Sequence, residues 1–179
     1  MRNLPALMSV NPAPGLEDIL APNLKAIFIG LNPSAGAAAT GHHFESRSNR
    51  FWPVLHQAGF TPVLIRAEDG RSLLKYGYGV TAAVPRATAS AAEVARAEYV
   101  ESASVLAARL KKLKPRYAAF LGKAAYAAIA GQRDLVWGQQ AEKFAGVHVW
   151  VLPNPSGLNL NFTLKALVEA YRELRVALD

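Results

Sequence analysis

Residues 25–36 read "KAIFIGLNPSAG", an apolar run that stops at a glycine and turns on an Asn-Pro pair. Its β-branched and aromatic residues give it strand character, and it is too short for an independent helix. Three more runs share that character: "GVTAAV" (79–84), "YAAFLG" (117–122) and "VHVWVL" (147–152). Helical patterns lie between and after them. "NRFWPVLHQAG" (49–59) tolerates Pro53 only in a first turn. Residues 97–114 place Val100, Ala103, Leu106, Ala107 and Leu110 on one face. "KAAYAAIAG" (123–131) ends at a glycine cap, and "LKALVEAYRELRVAL" (164–178) points Leu164, Leu167, Val168, Tyr171, Leu174 and Leu178 inward. This alternation predicts an α/β fold, a three-layer α/β/α arrangement around a central, mostly parallel four- to five-stranded sheet. Ligands of such sheets bind beyond the carboxyl ends of strands, where the strand order reverses. Function is therefore sought in the segments that leave the strand ends.

Composition narrows the classes. The 179 residues suit one domain, 16–179, after a Pro-rich stretch, 1–15, that is expected to be a flexible tail. Half of the chain is hydrophobic, enough for a core without staples. It contains no cysteine, which removes disulfides, thiolate zinc sites, iron–sulfur ligation and cysteine nucleophiles. No run approaches the length of a membrane span, and the first residues lack a signal-peptide core; a cytoplasmic location is expected. A net charge of +7 fits an anionic partner such as nucleic acid, and equally a merely basic surface. The cluster "RLKKLKPR" (109–116) reads as the solvated end of a helix.

After the first strand comes "GLNPSAGAAATGHHF" (30–44), read as a small-residue loop long enough to line a pocket. It has neither the GxGxxG fingerprint nor a P-loop lysine, so no nucleotide cofactor is expected. Asn32 either shapes the turn or offers its neutral amide to a water or a base edge. Phe44 either plugs the core or stacks on a planar ligand. His42 and His43 are adjacent with no partner carboxylate at metal-ligand spacing, so no metal is expected. After the second strand, Ser90 and Glu93 spell a capping box, yet Glu93 also opens a helix where a carboxylate could activate water. Asp69 precedes that strand and belongs at the opposite edge. After the fourth run comes "LPNPSGLNLN" (152–161), a second Asn-Pro turn expected to face the first across one crevice.

Taken together, "GLNPSAG", "TGHHF", "NRFW" and "WVLPNPSGLN" resemble the mismatch-specific uracil-DNA glycosylases, bacterial relatives of thymine-DNA glycosylase within the uracil-DNA glycosylase superfamily. The likeness runs on through "YGYGVT", "LGKAAY" and "LVEAYREL" and covers roughly residues 16–178. It implies a monofunctional enzyme of base excision repair, without cofactor and monomeric. Such an enzyme flips uracil out of double-stranded DNA and hydrolyses its glycosidic bond, since the base's sugar carbon is unreachable inside the stack. Asn32 matches the asparagine that positions the attacking water, and Phe44 the residue that stacks on uracil. Backbone N–H groups near Leu31 and Phe44 would bind the uracil oxygens. Leu158 matches the wedge that fills the vacated stack. Gly157 and Asn159 would present backbone groups to the widowed guanine, with Gly157 also allowing close approach of the duplex. Asn154 and Ser156 would orient the loop, bind the base and meet phosphates, while Pro153 and Pro155 stiffen it.

Three positions depart from the family pattern: Ser34 stands for a glycine, Leu160 for an arginine after the wedge, and Ala82 for a lysine beside the pocket. Because an asparagine amide is not basic, Glu93 is the expected carboxylate helper, with the capping box as its competing role. Small residues Ala35, Gly36 and Ala37–Ala39 would leave room for thymine or ethenocytosine. Two other functions fit the fold: a nucleic-acid-binding module without chemistry, and a hydrolase of free nucleosides or nucleotides. The intact Asn32 and wedge loop speak against the first; the wedge and the net charge speak against the second.

Overall fold

A computed structural model describes residues 16–179; the tail expected over 1–15 lies outside the described residues. Its centre is a five-stranded sheet of order β2-β1-β3-β5-β4. The strands are β1 (Ala26–Gly30), β2 (Tyr78–Ala82), β3 (Tyr117–Leu121), β4 (Gly138–Gln139) and β5 (His148–Leu152). The first three and β5 run parallel, while the two-residue β4 pairs antiparallel with β5. Among the described residues five α-helices accompany them, α1 (Ala35–Thr40), α2 (Phe51–Gln57), α3 (Arg96–Leu113), α4 (Lys123–Ala130) and α5 (Leu164–Ala177), with 3-10 turns at Ala67–Tyr76 and Ala91–Glu93.

Strand alternation builds two cores. Phe28, Val80, Ala119 and Leu152 point to the side covered by α2 and α5, against Phe51, Leu55, Tyr171 and Leu174. Ile27, Ile29, Phe120 and Val151 point the other way, toward Leu106 and Leu110 of α3 and Ala125 and Tyr126 of α4. A strand buried on both faces shows no polar alternation, which is why the apolar runs were continuous. Phe28 sits at the heart of the first core with edge-on contacts to Phe51 and Phe60, each at 5.4 Å. Gly79 has a steric reason: a Cβ there would come within 2.5 Å of Ile19 O. Its absence lets residue 19 bridge Val80 and strap the first described segment onto the sheet.

Several expected details change. Residues 35–40 form a helix rather than a loop, because Ser34 Oγ accepts from Ala37 N and Gly41 closes the turn at φ 76°. On α3 the inward face carries Tyr99, Leu106 and Leu110, whereas Val100 is exposed. Leu164, at the first turn of α5, is also exposed. Pro53 lies in the first turn of α2, where its missing N–H costs nothing.

The chain leaves β1 toward β2 on one side, and leaves β3 toward β5 on the other. The two connections diverge at the carboxyl ends of β1 and β3, and that divergence opens a crevice.

Candidate active site

The crevice has a volume of about 570 Å³ and is lined from all four parallel strand ends. After β1 come Leu31, Asn32 and Pro33; β2 and its loop add Ala82, Thr88 and Ser90; β3 ends at Leu121; Asn154 and Ser156–Asn159 come after β5. The two Asn-Pro turns therefore meet, as their positions after strands suggested.

Asn32 is held by partners far away in sequence. Its Nδ2 donates to Arg86 O at 2.9 Å and to Thr88 Oγ1 at 2.8 Å. Thr88 Oγ1 in turn donates to Ser90 O, so toward Asn32 it can only accept. Both acceptors demand the NH₂ end of the amide, which fixes which way the side chain is turned. Its carbonyl Oδ1 takes no hydrogen bond among the described residues and is left as the acceptor that Asn32 gives to the crevice.

Phe44 packs on the core and also borders the crevice. Its ring lies 4.0 Å from that of Phe51 at 31°. The backbone there has φ 54°, a left-handed conformation that costs a non-glycine residue about 1–3 kcal/mol. Its N–H has no partner among the described residues. Preceding it, His43 is buried; its Nε2 lies 2.8 Å from Glu17 O, and its own carbonyl accepts from Trp52 Nε1. Burial pulls the His43 pKa below its ordinary value, against the opposing pull of Glu17 O and Asp18.

The loop after β5 is fastened at nearly every residue. Tyr171, wholly buried in α5 with its phenol pKa pushed up by that burial, donates to Pro153 O. Asn154 Oδ1 accepts from Ser156 N, and Asn159 Nδ2 donates to Asn154 O. Arg50, which motif reading did not single out, spends its guanidinium on four carbonyls: Pro155, Ser156, Asn159 and Phe162. Leu158 stands at the tip, 82 % exposed. Gly157 is required for packing within the protein: an added Cβ would sit 2.6 Å from Ser48 Cβ and Ser48 O. Asn159 has both backbone groups engaged, its N–H donating to Ser156 O and its carbonyl accepting from Arg50, while those of Gly157 have no partner among the described residues.

Glu93 lies elsewhere. Its carboxylate accepts from Ser90 N, completing the capping box, and it does not line the crevice. Asp69 lies before β2 and does not line the crevice either. Of the small residues expected to widen the pocket, Ala37 alone faces it, because α1 turns the others outward or away. Ser34 is spent as the cap of α1. Arg86 pairs with Glu98, which lowers that carboxyl to about 2 and fixes the loop whose carbonyl holds Asn32.

The molecule is thus a doubly wound α/β domain with its crevice at the strand-order reversal, bordered by two facing Asn-Pro turns and an exposed leucine on a fastened tip. The chain belongs to the uracil DNA glycosylase superfamily, whose family model matches residues 17–175. Membership carries the activity of that superfamily, hydrolytic DNA glycosylase chemistry. The fold is also similar to the solution NMR structure of a Methanosarcina acetivorans protein provisionally described as a uracil DNA glycosylase. The TM-score is 0.60 and the identity 19 %, over 91 % of this chain and 98 % of that one. At that identity the likeness speaks to the fold.

Proposed function

We propose that the protein is a monofunctional, monomeric glycosylase that acts on double-stranded DNA in the cytoplasm and removes uracil, chiefly from U·G pairs. The observation that carries the reading is the Asn32 amide, whose NH₂ is committed to Arg86 O and Thr88 Oγ1 so that Oδ1 remains to hold a water. In the reaction the C1′–N1 bond breaks and uracil N1 keeps the electron pair. The water oxygen bonds to C1′ and loses its proton to solvent, and the departing uracil anion takes up a proton, so that the products are uracil and an abasic site. Phe44 stacks on the flipped base, and its open N–H, with that of Leu31, stabilises charge developing on uracil oxygen. Asn154 has its Oδ1 committed to Ser156 N, so its NH₂ is the end that remains for the base.

Leu158 fills the gap in the stack, and the fastened loop means that little conformational freedom is lost on insertion. Gly157 offers its open backbone groups to the widowed guanine. Glu93 has no part in this account: its carboxylate is committed to Ser90 N. Thymine and ethenocytosine are secondary substrates, since Ala37 is the small side chain that α1 gives the crevice.

The test is alkali-labile cleavage of labelled duplexes containing U·G, U·A, T·G or ethenocytosine pairs, of single strands, and release from free deoxyuridine. Fastest release from U·G and none from deoxyuridine is expected. Equal rates on U·G and U·A would remove the mismatch preference, and no release from any DNA would remove the enzymatic reading.

A further inference from the structure

The wedge loop, residues 153–161, contains no Lys or Arg, and Arg50 beneath it is spent on carbonyls. Binding to DNA nevertheless rests on cations placed against phosphate. We infer that Lys123 and Trp137 form a second DNA contact beside the wedge, holding the sugar–phosphate backbone of the duplex. This inference rests on the glycosylase reading and adds two residues to which the sequence analysis gave no role.

Position comes first. Gly138 pairs with Val151 and Gln139 with Trp150 in antiparallel register, so Trp137 lies alongside the carboxyl end of β5, where the wedge loop begins. Its ring meets the Phe162 ring edge-on at 5.4 Å and 86°. Phe162 is also the residue whose carbonyl takes Arg50 Nη1 at 2.6 Å, so the wedge loop and this platform share one clamp. Leu160, 89 % exposed, continues the apolar surface between Leu158 and Phe162 along the chain.

Chemistry comes second. Lys123 Nζ lies 4.5 Å from the centre of the Trp137 ring. Lys123 is the first residue of α4, where the helix dipole disfavours a cation. It has no carboxylate within 4 Å among the described residues. A cation kept there with an aromatic ring but no carboxylate beside it is suited to an anion from outside. Trp137 is 43 % exposed, whereas Trp52 and Trp150 are 5 % and 7 % exposed. An ammonium beside an open indole, on the same edge as the wedge, matches a phosphate beside the apolar face of a deoxyribose.

The exposure pattern supplies its own probe, because Trp137 is the one tryptophan of three that DNA can reach. Wild-type protein is titrated with a duplex containing a tetrahydrofuran abasic analogue, following tryptophan emission and the anisotropy of labelled DNA together. The emission should change in step with binding, and Trp137→Phe should abolish that change. Trp137→Ala should weaken binding about tenfold. Lys123→Ala should lower the slope of log K against log salt by about one, with Lys123→Arg restoring it. Binding by anisotropy with unchanged wild-type emission, and a Lys123→Ala salt slope equal to wild type, would overturn the inference. Uracil release measured on the same wild-type preparation separates the two readings. Release with a silent Trp137 overturns this contact alone; neither release nor binding overturns both.

Discussion

At the scale of single residues, Asn32 is made useful by atoms 54 and 56 positions away. The sequence made the Asn-Pro turn visible, but not Arg86 O and Thr88 Oγ1, because a backbone carbonyl carries no signature in composition or spacing. Thr88→Val removes the shortest of three contacts to the Asn32 amide nitrogen, the others being Arg86 O and Pro33 O, while keeping the shape, and should slow single-turnover base release by about tenfold or more; Thr88→Ser, which keeps the hydroxyl, should not. Gly157 is a second such case. The glycine itself was legible as a close approach, and within the protein the group it approaches is Ser48, which no motif announced. Glu93 resolves toward the plainer of its two readings, the capping box.

His43 gives a pH dependence at the same scale. Its folded pKa lies below the ordinary 6.5, so below that pH the unfolded chain binds the proton more readily than the folded one. The contribution is thus present above pH 6.5 and lost as pH falls through that value. Wild-type Tm should drop between about pH 7 and 5.5 more than that of His43→Gln, as read by thermal melts in matched buffers.

At the scale of elements, the strands and long helices were legible because continuous apolar runs and 3.6-residue periodicity are local signals. The misread pieces are short or placed by context. The helix at 35–40 is only six residues long, and what starts and ends it is a serine cap and a left-handed glycine. β4 is two residues long and has no pattern of its own. Tyr99 displaced Val100 from the α3 interface, a shift of one position that a helical wheel of mostly small residues does not decide.

The loop after β5 is the element to which the proposed function gives duplex recognition, and Arg50 is its fastening. Arg50→Ala should raise KM for the duplex more than it lowers the rate at saturation. Arg50→Lys should restore it only partly, because an ammonium cannot reproduce a planar fork across four carbonyls. Steady-state kinetics on a U·G duplex, with circular dichroism to confirm folding, would read both.

At the scale of the whole molecule, two apolar faces of one sheet hold four parallel strand ends level, and the crevice exists because connections leave β1 and β3 in opposite directions. That much was readable from the alternation of strands and helices. What could not be read was how tightly the parts converge: Arg50 joining α2 to the loop after β5, Tyr171 reaching Pro153 from α5, and Phe44 resting on Phe51. These are long-range contacts between residues whose local signals concern only their own elements. The proposed reaction rests on one atom, Asn32 Oδ1, whose amide is oriented by Arg86 O and Thr88 Oγ1. Single-turnover release of uracil from a U·G duplex, at enzyme concentrations that bind all of the DNA, compares wild type with Asn32→Ala most directly. The account predicts release by the wild type and a loss of about 100-fold or more in the variant, with folding intact by circular dichroism. Equal rates from the two proteins would contradict it.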